Sequence, residues 1–424
     1  MPAERDKGFA SWNAVSAGDW ATRNSGFGVS PERHGEFDKS EMDSRPFEES
    51  LGKNIFTFWK GRIALFAILK ALGIGPGDHV VIPGFTCFIL PSAVSFAGAE
   101  PLYADIEPST FNLSLETIES ALHSRVHSNV KAIVIQHTFG MPVDTERIVS
   151  WARRRGIATI EDCAHALGSG YYERSGVRRA TGTLSDAAFF SSHWNKPVST
   201  GIGGWALVND PKICEGVRNF WEEQCVSPTK TETFMLAAQV ATRKILTLPR
   251  IYWLVRNTYY ALYRRGLVVG SSSREELRGE MPSTYAKRMS SFQEWLLKRR
   301  LAKCSFEEHR RWLKHAYDTA LESSGFPVFN VPSYADPVLL RYPVRIKNKG
   351  NVVSEAKRRG IEIGEWYTHP VDKPEDLDLG ALGYREGMCP EGERASREVI
   401  HFPMGPNITE ESVLRMVRFV KDLS

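Results

Sequence analysis

From Ile55 onward the chain alternates short apolar runs with amphipathic ones, and this limits its fold more than any other feature. GRIALFAILKALGIGPGD predicts an amphipathic helix ended by a Gly-Pro-Gly turn, and HVVIPGF a short apolar strand closed by Pro83 and Gly84. PSAVSFAGAE (helix), PLYADI (strand), VKAIVIQHTFG (strand), DTERIVSWARRRG (helix) and IATIEDCAHALGS (strand, then loop) follow. Such alternation points to an α/β domain with a mainly parallel sheet. Sheets of this kind carry their sites beyond the C-terminal ends of the strands. Here those ends are residues 85–88, His137, 162–165 and 191–196.

After Asp210 the pattern loosens. Phe292, Trp295, Leu296, Phe306, Leu313, Tyr317 and Leu321 recur at mostly helical intervals and predict a long helical stretch from about Tyr285 to Leu321. VLLRYPVRIKNKGNVVSEAKRRGIEIGEWY reads strand, helix, strand, and TEESVLRMVRFVKDL is a closing helix behind a Thr cap. The organisation expected is a polar arm over 1–47, a large domain over 48–300 and a smaller C-terminal α+β domain over 301–424. Within the large domain, about 225–275 reads as a helical basic insertion. It carries Arg243, Lys244, Arg250, Arg256, Arg264 and Arg265, with no acidic residue from Thr233 to Ser273. A stretch like 235–270 can lie on a membrane surface. Packing on its own protein or on a dimer mate is the favoured alternative.

Composition narrows the class. A net charge of +4 on 424 residues gives no global sign of a nucleic-acid partner. Cys87, Cys163, Cys214, Cys225, Cys304 and Cys389 show no metal-ligand spacing and read as reduced thiols. The N-terminus has no apolar core of a signal peptide, and no stretch is long and charge-free enough to span a bilayer. The expectation is a soluble cytoplasmic protein.

The chemistry gathers around FFSSHWNKPVSTGIGGWALVND. A lone lysine such as Lys196 is by default an exposed loop residue. The alternative is an amine held to form a Schiff base with a carbonyl. Asp162 ends an apolar strand, where an unpaired carboxylate is costly unless it meets a cation. A helix cap or salt bridge satisfies that need, and so does the ring nitrogen of pyridoxal phosphate. Gly61 opens a helix whose first amides and dipole favour an anion; Arg62 adds a forked donor and Ser191 a hydroxyl. Together these supply a carbonyl-binding amine, a ring-nitrogen acid and a phosphate cradle.

GRIALFAILKALGIGPGDHVVIPGFT, GAEPLYADIEPSTFNL, HTFGMPVDTERI, IEDCAHALGS and the Lys196 block together resemble the DegT/StrS-type sugar aminotransferases, fold-type I pyridoxal phosphate enzymes. The resemblance continues through KRMSSFQEWLLKRRL and LGYREGMCPEGERASREVIHFPMGPNITEES, so it spans nearly all of Ile55 to Leu423. It implies a large domain with a seven-stranded-type, mainly parallel sheet and a homodimer. It also implies transfer of an amino group from glutamate to a keto group of a nucleotide-linked sugar. Lys196 is then the cofactor-bound lysine and proton carrier, Asp162 the partner of the ring nitrogen, and Ser191 with Gly61 and Arg62 the phosphate site.

The chain also departs from the family. His165 stands where a glutamine is usual, and a histidine there is able to titrate. Arg62 replaces a threonine, losing a hydroxyl and gaining a cation. Cys87 occupies a position where an aromatic residue often stacks on the cofactor; either Phe85 or Phe88 takes over, or Cys87 packs as a small apolar group. Ala286 replaces an asparagine lent across the dimer, and only Arg288 and Met289 of that motif match. His193 and Trp194 either face the substrate or fill the pocket wall. Two other activities compete: a non-catalytic scaffold or regulator, which retention of Lys196 and Asp162 opposes, and amination of a keto-cyclitol. The family's dehydratases have histidine in place of the lysine, and Lys196 opposes that variant.

Overall fold

In this computed structural model the described residues are 52–123, 129–246, 270–374 and 377–424. The N-terminal arm and residues 247–269 of the basic insertion lie outside them.

Seven strands form the central sheet: β1 (Ile55–Phe58), β2 (His79–Pro83), β3 (Glu100–Ala104), β4 (Val130–Gln136), β5 (Ala158–Asp162), β6 (Ala187–Ser191) and β7 (Gly204–Val208). Their order is β1-β7-β6-β5-β4-β2-β3. Strands β3, β2, β4, β5 and β6 run parallel; β7 runs against them, and the edge strand β1, antiparallel to β7, returns to their direction. The expected mainly parallel sheet is therefore present. Its strands are near-continuous apolar runs because both faces are covered, and Ile133, Val134 and Ile135 are fully buried. Register aligns Gln136 with Asp162, Asp162 with Phe189, and Ser191 with Gly204, so the polar strand ends share one edge.

Helix α1 (Gly61–Ala71) packs against β6, β7 and a helix spanning Pro211–Glu223. It is buried from Gly61 to Leu69, which explains why polar residues are scarce on it. Each of Ile63, Leu65, Ile68 and Leu69 contributes roughly 1.5–3 kcal/mol by leaving water. An alanine at Ile68 would cost about 2–5 kcal/mol through the cavity left behind.

A second core lies around β8 (Arg341–Arg345) paired antiparallel with β9 (Val399–Pro403). Helices Phe306–Ser323, Lys349–Arg359 and Glu410–Leu423 cover it; the last is capped by Thr409, whose hydroxyl accepts from Ser412 N–H. Phe85, Phe111 and Phe139, from the first half of the chain, join this second core.

Two expectations fail locally. The stretch from Tyr285 to Leu321 is not one helix. Residues Lys287 and Arg288 bridge to Val226 and Phe58, and the helix begins only at Ser291, behind a Ser290–Gln293 capping box. It stops at Leu301, and the next helix starts at Phe306. The strand expected after Lys349–Arg359 is reduced to a single bridge, Gly364 to His401. Gly360 ends the helix in the left-handed region (φ 64°), and beyond Gly364 the chain turns Trp366 and Tyr367 toward the polar strand ends.

Candidate active site

Beyond those strand ends lies a cavity of about 260 Å³. Lys60, Gly61 and Arg62 bring the start of α1 to it, and Asp162, Ala164 and His165 the end of β5. Ser191 ends β6, His193, Asn195 and Lys196 come from the loop after it, and Trp366, Tyr367 and Asp372 from the C-terminal half. The last group is anchored by a short parallel pairing of Val371–Asp372 with Thr86–Cys87, which puts Cys87 on the cavity wall.

The lysine loop is shaped by its own hydroxyls and glycines. Ser192 N–H donates to Gly203 O at 2.9 Å, Thr200 N–H to Ser192 O at 2.8 Å, and the two hydroxyls meet at 2.7 Å. A Cβ on Gly203 would stand 2.4 Å from both hydroxyl oxygens. A Cβ on Gly204 would lie 2.3 Å from Gly61 Cα, so the bare glycine lets β7 touch the start of α1. The glycines that follow the lysine thus close the loop and seat the helix.

Lys196 Nζ makes no hydrogen bond with a described residue. Burial brings its pKa down to about 8, against the pull of Asp162. Asp162 commits only Oδ1, to Ala164 N–H at 2.9 Å, and burial lifts its pKa to about 6 against that bond and Lys196. Helix α1 begins after Lys60 with no side-chain cap; Ile63 N–H turns back to Lys60 O at 3.1 Å, while the Gly61 and Arg62 amides meet no acceptor among the described residues. A Cβ on Gly61 would meet Phe190 O at 2.9 Å and Ser191 Cβ at 3.3 Å.

Arg62 departs from the expectation of a free phosphate-binding cation. Its Nη1 donates to Glu276 Oε1 at 2.7 Å and to Ser272 Oγ at 3.0 Å, and Nη2 to Ser271 O at 3.1 Å. Lys60 Nζ donates to Glu276 Oε2 at 2.8 Å. Glu276, though buried, is held ionised with its pKa down at about 2 by these two cations. The guanidinium still lines the cavity, but its charge is already paired.

Other expectations need correction. Phe85 is fully buried against Phe111, Phe139 and Tyr367, away from the cavity, because the second core claims it. Phe88 and Cys87 do line the cavity; the Cys87 thiol, pushed up to about 12 by burial, stays protonated there. Trp194 packs on the first core beside Gly201 and is absent from the cavity wall, so of the pair only His193 faces it. Neither histidine titrates near neutrality. Burial first, then Lys196, push His165 well below the usual range and His193 to about 3. His165 stacks on Trp366 with centroids 6.1 Å apart. Ala286 packs against the first core, and the Arg288 guanidinium lies 4.1 Å from the Trp221 ring centroid.

His137, Glu161 and Cys163 cluster within 4.8 Å with metal-ligating atoms. Hydrogen bonds already use the first two. Val143 N–H donates to His137 Nδ1, so Nε2–H donates to Glu161 at 2.9 Å. Burial keeps the Cys163 thiol protonated.

The described residues assemble a donor set suited to a phosphate, a carbonyl and a ring cation, and comparison with known proteins decides among enzymes that use one. Residues 45–245 and 254–421 match the model of the DegT/DnrJ/EryC1/StrS aminotransferase family. The chain belongs to that family. It is 28% identical over 358 residues to a pleiotropic regulatory protein of Geobacillus stearothermophilus, covering 83% of this chain and 80% of that one. It is 27% identical to a UDP-2-acetamido-2-deoxy-3-oxo-D-glucuronate aminotransferase of Pseudomonas aeruginosa, covering 90% of both. Its fold is shared with a family aminotransferase from Brucella abortus, with a TM-score of 0.66 at 21% identity over 90% of this chain and 88% of the other. Members of this family depend on pyridoxal phosphate.

Sequence reasoning missed Lys60, Glu276, Trp366, Tyr367 and Asp372. Glu276 sits in a four-residue helix, Arg274–Leu277, whose capping box with Ser273 is legible, but its partners lie over 200 positions away. Trp366 and Tyr367 were visible only as the end of an apolar run.

Proposed function

We propose that this protein is a pyridoxal phosphate-dependent aminotransferase that moves an amino group from glutamate to a keto group of a nucleotide-linked sugar. One observation carries the reading: Lys196, an amine with no hydrogen bond among the described residues, faces the same cavity as a carboxylate with only one oxygen bonded among them. An uncapped helix start lies beside them. These residues fit the cofactor. Lys196 Nζ would hold its carbonyl carbon, Asp162 its protonated ring nitrogen, and the first α1 amides with Ser191 its phosphate. When bound, the cofactor supplies an electron sink for the carbon that loses its proton.

The chain's own groups do the rest. With its pKa brought to about 8, Lys196 loses its proton more readily than an ordinary lysine and can take and return one at Nζ near neutral pH. Asp162, its pKa raised to about 6 by burial, would ionise beside a ring cation and would hold the proton on that nitrogen. His165 and His193 line the wall as neutral rings, presenting donors or acceptors without adding charge. Arg62 and Lys60, tied to Glu276, keep the phosphate end of the cavity cationic without a loose side chain.

The same reading makes the protein a cytoplasmic homodimer; among the described residues no helix is long and apolar enough to cross a membrane. The experiment is a panel of keto-sugar nucleotides offered with glutamate, scored by 2-oxoglutarate release. Release that needs both an acceptor sugar and Lys196 supports the reading, and none with any sugar or cyclitol ketone contradicts it.

A further inference from the structure

Behind the cavity wall made by His165 and Trp366 sits a second polar cluster that the reaction above leaves unused. Arg341 starts β8, and its guanidinium lies 5.5 Å from the centroid of the Trp366 ring. Arg310, from the helix Phe306–Ser323, lies 5.1 Å from the ring centroid of Phe306 and is 7% exposed. His401, on β9, has its ring centroid 5.2 Å from that of Trp366.

These groups are poorly satisfied. Neither guanidinium donates a hydrogen bond to a described residue. Arg341 Nε, Arg310 Nη1, His165 Nδ1 and both ring nitrogens of His401 are buried without partners. Arg310 has no ion pair among the described residues. The nearest carboxylate to Arg341 is Glu362, at 3.9 Å, on a side chain 41% exposed. Arginine is a five-donor group that is almost never buried unpaired, because desolvation costs several kcal/mol. Arg310 has no carboxylate partner and Arg341 only the distant Glu362 among the described residues; with each guanidinium in the other's field and His165 and His401 kept neutral by burial, the cluster is short of an anion. Both cations also lie close enough to Lys196 to weaken its hold on a proton.

We infer that Arg310 and Arg341 form a carboxylate-binding subsite adjoining the His165–Trp366 wall of the cavity. A planar carboxylate suits a guanidinium fork, and an amino-group donor such as glutamate brings two. An acid group on the acceptor sugar has the same chemistry. This rests on the aminotransferase reading only for the identity of the ligand.

The test uses the cofactor-loaded protein and its Arg310→Gln and Arg341→Gln variants, titrated calorimetrically with 2-oxoglutarate, with its dimethyl ester, and with acceptor nucleotides bearing or lacking a sugar carboxylate. Losing a charge-assisted pair should weaken binding by about 10- to 100-fold. Cofactor absorbance should be retained, and the ester should bind poorly to every form. Loss for 2-oxoglutarate assigns the subsite to the donor; loss confined to the acidic acceptor assigns it to the acceptor. Thermal midpoints of the variants without substrate should hold or rise, because an unpaired buried charge has been removed; a structural role would lower them. Should either variant fail to fold, Arg310→Lys and Arg341→Lys keep the charge, and an intermediate affinity is expected. Unchanged affinity for every carboxylate, or equal binding of the ester, overturns the inference. A wild-type protein that binds 2-oxoglutarate without cofactor absorbance removes the proposed reaction and leaves the subsite standing.

Discussion

Glu161 and Asp162 are consecutive carboxylates on β5 that point to opposite faces and titrate in opposite directions. Glu161 accepts from Gly182 N–H at 2.7 Å, Ser185 Oγ at 2.7 Å and His137 Nε2 at 2.9 Å; although burial opposes it, these donors hold its pKa low. Asp162 keeps one bond and is pushed up to about 6. The strand's period of two sends one to a structural network and the other to the cavity.

Glu161→Gln should therefore unfold the protein more readily without any direct role in chemistry. It removes the charge that satisfies three elements and leaves buried donors facing a group that itself donates. The expected loss is about 3–5 kcal/mol, read as a lower denaturant midpoint. An unchanged midpoint contradicts this role for Glu161.

Asp162 makes a pH prediction for the cofactor-free protein. Its folded pKa lies above the unfolded value of 3.8, so the folded state keeps a proton that the unfolded chain releases. The stability it contributes is present below 3.8 and is lost as pH rises through about 6. Relative to Asp162→Asn, wild type should lose stability across that window and stay level above it. Parallel stability–pH curves for the two proteins would show that Asp162 is not perturbed as described.

Much of this was legible because local pattern and tertiary role agree. The alternation from Ile55 located the sheet, and strand ends located Asp162, Ser191 and Lys196 before any packing was known. What the sequence hides is set by distant partners. Arg62 looks like a free phosphate donor until Glu276, 214 positions on, takes its Nη1. Phe85 looks like a ring near the cofactor until three aromatic residues from elsewhere surround it. Arg310 and Arg341 carry no local sign of burial at all.

The Arg62–Glu276–Lys60 trio yields an asymmetric prediction. Glu276→Gln strands two cations in a buried site and should cost about 3–5 kcal/mol; Arg62→Met leaves Glu276 with Lys60 and should cost less. Because Glu276 is held at about 2, its contribution is present above 4.5 and fades as pH falls toward 2. Chemical denaturation of both variants at neutral pH orders them, and equal losses would mean Lys60 does not share the carboxylate.

The proposed chemistry stands or falls with Lys196 as the amine that captures a carbonyl cofactor. The sharpest check is the absorbance spectrum of the purified protein mixed with pyridoxal phosphate, for wild type and Lys196→Ala. Wild type should show a long-wavelength band of lysine-bound cofactor that is lost in the variant while the fold, read by circular dichroism, is kept. A band of equal intensity in Lys196→Ala, or none in wild type, would contradict it.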